Sequence, residues 1–139
     1  MKRIYLLSAA ALLLTSCGNP SSSEPEMRYI KRTVTYQTIS DMYQNPDEYL
    51  GDCFHIVGML YPSKDDDGET FYSVYAEESP GGHGIGIELD WPDYSGFTDY
   101  ETVTVEGKLD KTVYEHDGEE REYLILRVTS LEKRESKSE

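Results

Sequence analysis

Two stretches of the chain repeat one pattern of apolar and polar residues. Residues 54–60 (Phe-His-Ile-Val-Gly-Met-Leu) and residues 103–109 (Val-Thr-Val-Glu-Gly-Lys-Leu) both read apolar-x-apolar-x-Gly-x-apolar. Alternation with a period of two predicts a β-strand with one buried face. In both stretches the glycine, Gly58 or Gly107, falls on that face, where it lets a bent strand pass close to its neighbour. The repeated pattern therefore predicts a small, tightly coiled β-barrel.

Three further segments have the composition or the alternation of strands. One is rich in aromatic and β-branched residues, one alternates strictly, and one has its leucines on a single face. Asp-Gly pairs at 67–68 and 117–118 are typical of hairpin turns. The five predicted strands cover residues 53–61, 70–76, 85–91, 102–110 and 122–131.

A short helix is predicted ahead of the first strand. Ser40 is a suitable N-cap, and Asp41 lies in the first turn, where the helix dipole favours an anion. Pro46 ends the helix and Gly51 turns the chain into strand one, while residues 29–38 are predicted as an extended lead-in. The expected fold class is all-β: a five-stranded OB-like barrel preceded by a short N-terminal helix, with the two glycine strands paired.

The loop between strands three and four carries an aromatic residue at every third position. These candidate ligand-binding residues are Trp91, Tyr94, Phe97 and Tyr100. One interpretation is a stacking platform for a flat or sugar-like ligand. The other is a plug that covers one end of the barrel, and the sequence leaves both open.

Acidic residues cluster in the two hairpin loops, which an OB barrel brings to the same end. The first loop holds Asp65, Asp66 and Asp67, and the second lies beside His116. The spacing is not that of an EF-hand. These four residues are a candidate divalent-cation site, and the alternative is a pair of solvated turns.

The start of the 139-residue chain is typical of an export signal. A basic tripeptide precedes an apolar run that is too short to span a bilayer, and Leu-x-Ser-Cys follows, ending at Cys17. This pattern predicts lipidation of Cys17 and a location on the extracytoplasmic face of the cell membrane. The predicted organisation is a signal peptide over 1–16, a tether over 17–28, the barrel over 29–132 and a disordered charged tail over 133–139.

The charge of the chain argues against one class of partner. The net charge is −14, and cleavage before Cys17 removes two basic residues and makes it −16. Such a charge repels phosphate backbones, so nucleic acid is not an expected partner. Cys53 would then be the sole remaining thiol, which leaves no intrachain disulfide. No catalytic constellation and no cofactor motif is recognisable, so the protein is not expected to be an enzyme.

The sequence resembles the small OB-fold lipoproteins and exported domains of bacteria, most of which have no assigned function. The resemblance covers residues 39–131 and is carried by four motifs: Asn45-Pro46-x-x-Tyr49-x-Gly51, the Gly58 strand, Gly86-Ile87-Glu88-Leu89-Asp90-Trp91, and Val103-x-Val105-x-Gly107. Relatives of this type often carry a Cys-Cys pair before the third motif. Residues 82–85 read Gly-His-Gly-Ile here, so no thiol role can be carried over.

These patterns together predict a lipid-anchored, extracytoplasmic binding or accessory module on an OB barrel. Its expected ligand is an envelope protein or a small molecule. The lipid on Cys17 is expected to anchor the protein to the membrane. The alternative is an envelope protein that binds a divalent cation with its acidic loops.

Overall fold

The computed structural model describes residues 25–135. The predicted signal peptide and Cys17 lie outside these residues, as does the end of the predicted tail, so lipidation stays a prediction. The described elements, in chain order, are β1 (Met27–Ile30), a 3-10 turn (Arg32–Val34), α1 (Thr35–Gln44), a second 3-10 turn (Pro46–Glu48), β2 (Cys53–Lys64), β3 (Thr70–Glu77), β4 (Gly84–Asp90), β5 (Thr102–His116) and β6 (Glu119–Lys133).

Five strands close an OB-type barrel, which confirms the predicted fold class. The strands pair in the order β2-β3-β4-β6-β5, and β5 returns to pair with β2. The β4–β6 pair is parallel and the other four pairs of the barrel are antiparallel. The short β1 lies outside the ring and runs parallel to β2. Closure removes the free edges that an open sheet of these strands would have.

The β2–β5 pair, which we call the seam, joins the two repeated sequence patterns. Because the strands are antiparallel, each glycine lies opposite the first apolar residue of the other pattern: Gly107 pairs with Phe54, and Gly58 pairs with Val103. Phe54 and Val103 are fully buried. Each glycine therefore lies beside a buried apolar residue of the partner strand.

Both seam glycines also lie against a third strand. A Cβ atom on Gly58 would meet Val74 Cγ2 at 2.7 Å, and one on Gly107 would meet the backbone oxygen of Arg127 at 2.6 Å. The β5–β6 register shifts beside Gly107, which marks a β-bulge. These close approaches are the physical reason for the glycine in each pattern.

The helix begins earlier than predicted, with Ser40 in its middle. Thr35, Ile39 and Met42 follow helical spacing and form a buried stripe, and burial of this stripe outweighs the capping signal of Ser40. The Thr35 hydroxyl donates a hydrogen bond to the Val57 carbonyl, 3.3 Å away. The helix thus anchors to β2 and adds its apolar face to the barrel core. Within residues 25–135, no helix has the length and apolar character needed to cross a bilayer.

The last two strands are longer than predicted and continue beyond the barrel as a hairpin arm. Pairing runs without interruption from Asp110↔Ile125 to His116↔Glu119. The sequence does not predict this arm, because residues 115–122 are mostly charged and carry no apolar alternation. The arm matters because it forms one wall of the groove described next. The barrel core consists of Ile39, Met42, Phe54, Ile56, Leu60, Val74, Ile87, Leu89, Val103, Val105, Leu109, Leu124, Leu126 and Leu131.

Candidate binding groove

A groove crosses the outer face of β4. Since Ile87 and Leu89 point into the core, the alternation of the strand turns Gly86, Glu88 and Asp90 outward. These three residues are the floor of the groove. Gly86 leaves one end of the floor low, and the two carboxylates follow it along the strand.

The walls of the groove come from both neighbouring sides of the barrel and from the helix. Phe71 stands on the outer face of β3, where the small Ser73 adjoins the floor, while Tyr114 and Tyr123 belong to the hairpin arm. Tyr43 of α1 closes one end. Five elements therefore contribute side chains to one depression.

A single hydrogen bond divides the groove into two compartments. The Tyr114 hydroxyl donates to Glu88 Oε1 at 2.7 Å, and both residues, with Phe71, line the volumes on either side. The wide compartment encloses about 610 Å³ and extends toward Trp91, and the narrow compartment encloses about 330 Å³ and extends toward Tyr43.

Aromatic rings form much of the lining of both compartments. Tyr94 stacks on Tyr72 with 4.3 Å between ring centroids, and its hydroxyl donates to the Leu89 carbonyl at 3.2 Å. Tyr114 and Tyr123 lie 5.6 Å apart across the arm. The aromatic residues that line the wide compartment are Phe71, Tyr72, Trp91, Tyr94 and Tyr114, and those that line the narrow one are Tyr43, Phe71, Tyr114 and Tyr123.

Two phenols of the groove, those of Tyr43 and Tyr94, are held in their protonated form. The Tyr43 hydroxyl donates to the Gly86 carbonyl at 2.8 Å, and burial of this end of the ring, together with the charge of Glu88, raises the pKa of Tyr43 to about 12. Burial, followed by the charges of Asp90 and Glu88, also raises the pKa of Tyr94. Both rings are therefore neutral hydrogen-bond donors around neutral pH.

The charge of the groove is far more balanced than that of the chain. Partial burial disfavours the Arg127 cation, but hydrogen bonds to Asp90 at 2.9 Å and to Asp110 at 3.1 Å outweigh it and raise the pKa of Arg127. Lys111 reaches Glu122 at 3.3 Å. Three cationic side chains and four carboxylates line the two compartments: Lys64, Lys111 and Arg127, with Asp65, Asp66, Glu88 and Asp90.

The two hairpin loops meet at the rim of the narrow compartment, as the topology predicts. His116 Nδ1 lies 2.6 Å from Asp66 Oδ2, which joins the arm to the β2–β3 turn. Asp65 Oδ1 instead accepts hydrogen bonds from the backbone of Asp67 and Glu69 and stabilises its own turn. Among residues 25–135, no three His, Cys, Asp or Glu side chains gather closely enough to hold a metal ion.

The structure separates the four aromatic residues predicted to bind a ligand. Trp91 and Tyr94 line the wide compartment. Phe97 packs against the core, and Tyr100 is 57% exposed and meets Tyr61 edge-on at 5.5 Å. Trp91 and Tyr94 also pack against the core, so the loop has features of both a platform and a plug.

The sequence analysis missed most of the groove aromatics because they belong to different elements. Phe71 could have been found, since it shares the outer parity of β3 with Ser73, opposite to buried Val74. Tyr114 and Tyr123 belong to the arm, which was not predicted, and Tyr43 belongs to the helix and is 43% exposed.

Comparison with known proteins found similarity to solved structures only. No protein-family model matches the sequence, and no curated protein matches it. One similar solved structure is a small single-stranded DNA-binding protein from Streptomyces coelicolor, with 15% identity and a TM-score of 0.43, covering 60% of this chain and 94% of the other. Another is a mitochondrial single-stranded DNA-binding protein from S. cerevisiae, with 19% identity, a TM-score of 0.35 and the same coverage.

These neighbours contradict two predictions. A lipid-anchored module for a protein or small molecule was expected, with cation binding as the alternative, and nucleic acid was excluded as a partner. The similar structures are single-stranded DNA-binding proteins instead, so the functional prediction and the exclusion of nucleic acid are wrong, and the cation alternative is no better supported. The exclusion relied on net charge, which does not locate charge on the surface. At these identities and TM-scores the likeness does not identify a ligand for this chain.

Proposed function

We propose that the groove binds single-stranded nucleic acid by stacking unpaired bases on its aromatic side chains. The observation that carries the proposal is the lining: seven aromatic residues from five elements border one continuous depression on the outer face of β4. On OB barrels in general, this outer face, bounded by the two hairpin loops, is the surface that binds oligonucleotides and oligosaccharides.

Stacking can contribute binding free energy without help from the phosphates. Each base on an aromatic ring contributes about 1–3 kcal/mol in single-strand binding proteins, with little dependence on sequence. One base in each compartment would therefore contribute about 2–6 kcal/mol, which corresponds to weak binding with a Kd of tens of micromolar or more. Duplex DNA offers no unpaired faces, so the proposal requires single strands.

The charges of the groove fit contact with bases better than contact with phosphates. Arg127 is already paired with two carboxylates, and Lys111 with one. Phosphate contacts would have to compete with these pairs. The sugar-phosphate backbone is therefore expected to run along the open side of the groove, in water.

Fluorescence anisotropy with a labelled single strand of about 12 nucleotides tests the proposal. The wild-type protein should bind the strand saturably and bind the matching duplex at least about tenfold more weakly. Phe71→Ser should weaken binding about fivefold or more, because Phe71 borders both compartments.

The matched control is Tyr29→Ser, which removes an aromatic ring that is 70% exposed on β1, away from the groove. It should leave the affinity unchanged. The proposal is overturned if the wild-type protein does not bind the single strand, or if Phe71→Ser and Tyr29→Ser behave alike. Saturable binding of a neutral oligosaccharide in place of the oligonucleotide would also overturn it.

A further inference from the structure

The narrow compartment has the features of a pocket for one planar ring. Its floor is built from the two smallest side chains of the outer face, Ser73 and Gly86, which are neighbours on paired strands. Its walls are aromatic and come from Tyr43 on one side and Tyr123 on the other. With about 330 Å³, it has room for a base.

A carboxylate stands at the boundary of this pocket. Glu88 is half-buried, and its Oε1 accepts the Tyr114 hydroxyl at 2.7 Å. This contact fixes the orientation of the carboxylate, and a carboxylate can accept several hydrogen bonds at once. Any base that enters the pocket therefore meets an oriented acceptor.

The edge of the base that suits such an acceptor is rich in donors. Guanine presents two adjacent N–H donors on its Watson–Crick edge, which match the two oxygens of a carboxylate. Cytosine and adenine present one amino group each, whereas thymine presents two carbonyl acceptors beside its single N–H. Carbonyl oxygens turned toward Glu88 would be repelled by its charge.

We infer that the narrow compartment is a selective base pocket that prefers guanine and disfavours thymine, with Glu88 reading the Watson–Crick edge. This inference rests on the proposed function and adds a base specificity to it. The wide compartment, which the Glu88–Tyr114 contact separates from the pocket, would then accept any base by stacking.

Two oligonucleotide probes of about 12 nucleotides test the inference: all-thymine DNA, and the same strand with one central guanine. The wild-type protein should bind the guanine probe at least about fivefold more tightly than the thymine probe. Replacing the guanine with inosine, which lacks the exocyclic amino group, should remove part of this preference.

Two substitutions examine the pocket itself. Glu88→Gln keeps the size of the side chain but replaces one acceptor with a donor, so the ratio of the two affinities should fall to about one. Ser73→Phe fills the pocket from its floor and should have the same effect on the ratio. Matched controls are Glu132→Gln and Ser130→Phe, on the part of β6 that pairs with the seam strand β5, and both should keep the wild-type ratio.

The outcomes separate this inference from the proposed function. Binding of both probes with equal affinity would overturn the guanine pocket and leave single-strand binding intact. Binding of neither probe would overturn both. A guanine preference that survives Glu88→Gln and Ser73→Phe would also contradict the assignment of the narrow compartment.

Discussion

Glycine has opposite structural roles at the seam and in the groove. At the seam, the space left by Gly107 is filled by the backbone of a neighbouring strand, whose carbonyl oxygen would lie 2.6 Å from an added Cβ. In the groove, Gly86 borders the narrow compartment, and its nearest side-chain neighbour is Ser73, 3.0 Å from such a Cβ. One glycine permits closure of the barrel, and the other keeps a cavity open on its surface.

The difference teaches that a glycine in a strand has no single meaning. What decides its role is how closely the surrounding atoms approach an added Cβ: a backbone carbonyl oxygen at 2.6 Å for Gly107, against Ser73 Cβ at 3.0 Å and the Val74 carbonyl oxygen at 3.1 Å for Gly86. The seam is therefore expected to respond to substitution through stability, and the groove through binding. Four measurements examine this separation.

The largest effect is expected at the seam. Gly107→Ala should destabilise the protein by about 2–3 kcal/mol, because the methyl group overpacks a site bounded by backbone atoms. Gly58→Ala should cost less, about 1–2 kcal/mol, since the nearest backbone atom, the Tyr75 carbonyl oxygen, is 2.9 Å from the added Cβ rather than 2.6 Å. Urea unfolding measures both.

The control for the seam is Gly96→Ala. No heavy atom lies within 4 Å of its would-be Cβ, and its φ is not positive. Its unfolding free energy should stay within about 0.5 kcal/mol of wild type. If the three alanine variants had equal stability, close packing at the seam would not be the reason for the glycines.

The seam could be predicted because its information is local. Alternation and the glycine positions of residues 54–60 and 103–109 are visible in each stretch alone, and OB topology then pairs the two. The start of α1 could not be fixed in the same way. Ser40 is a suitable cap, but the buried stripe of the helix extends to residues before it. The free energy gained by burying that stripe depends on the barrel against which the helix packs.

The groove was only partly predictable because it exists only when distant elements meet. Trp91 and Tyr94 were identified from their spacing, while Tyr43 and Tyr114 come from elements whose placement no local pattern reveals. The net charge led to the wrong exclusion of nucleic acid for a related reason. A sum over 139 residues does not report that cations and carboxylates nearly balance in the groove.

The second prediction concerns the floor of the groove. Gly86→Ala should destabilise the protein by only about 1 kcal/mol, because Ser73 Cβ at 3.0 Å and the Val74 carbonyl oxygen at 3.1 Å need to give way by only a few tenths of an ångström. The same methyl group enters the narrow compartment, so the affinity for the guanine-containing strand should fall more than that for the thymine strand. Gly107→Ala, assayed at a temperature where it is folded, should bind both strands as wild type does. Equal binding losses in the two variants would remove the distinction between seam and groove.

The third prediction concerns the end wall. Tyr43→Phe removes the hydrogen bond to the Gly86 carbonyl and should cost about 0.5–1.5 kcal/mol. The folded state raises the pKa of Tyr43 to about 12. The contribution of its neutral phenol is therefore complete below the ordinary tyrosine pKa of about 10 and is lost as the pH rises through the folded pKa.

Wild type should accordingly lose more stability than Tyr43→Phe as the pH rises from about 10 to about 12. Tyrosine ¹³Cζ NMR can follow the Tyr43 ionisation directly, and the assignment comes from the signal that the variant lacks. Tyr29→Phe is the control for stability, since that ring is 70% exposed. A Tyr43 signal that titrates near pH 10 would mean that its hydroxyl is not held against β4.

The fourth prediction concerns the dependence of DNA affinity on salt concentration. The expected change is the smallest of the four, but its direction distinguishes base contacts from phosphate contacts. A protein that neutralises about 6–10 phosphates with Lys and Arg loses about 10³–10⁵ in affinity between about 50 and 200 mM salt, because binding releases condensed counterions. Here the chain has a net charge of −14, and the groove cations Lys111 and Arg127 are already paired. Salt should therefore screen repulsion, and affinity for the thymine strand should stay level or rise about twofold over the same range.

A methylphosphonate strand of the same sequence, which has no backbone charge, should bind more tightly than DNA at low salt and approach the affinity of DNA at high salt. A steep loss of DNA binding with salt would instead indicate direct phosphate contacts, and the bases would then not be the main source of affinity.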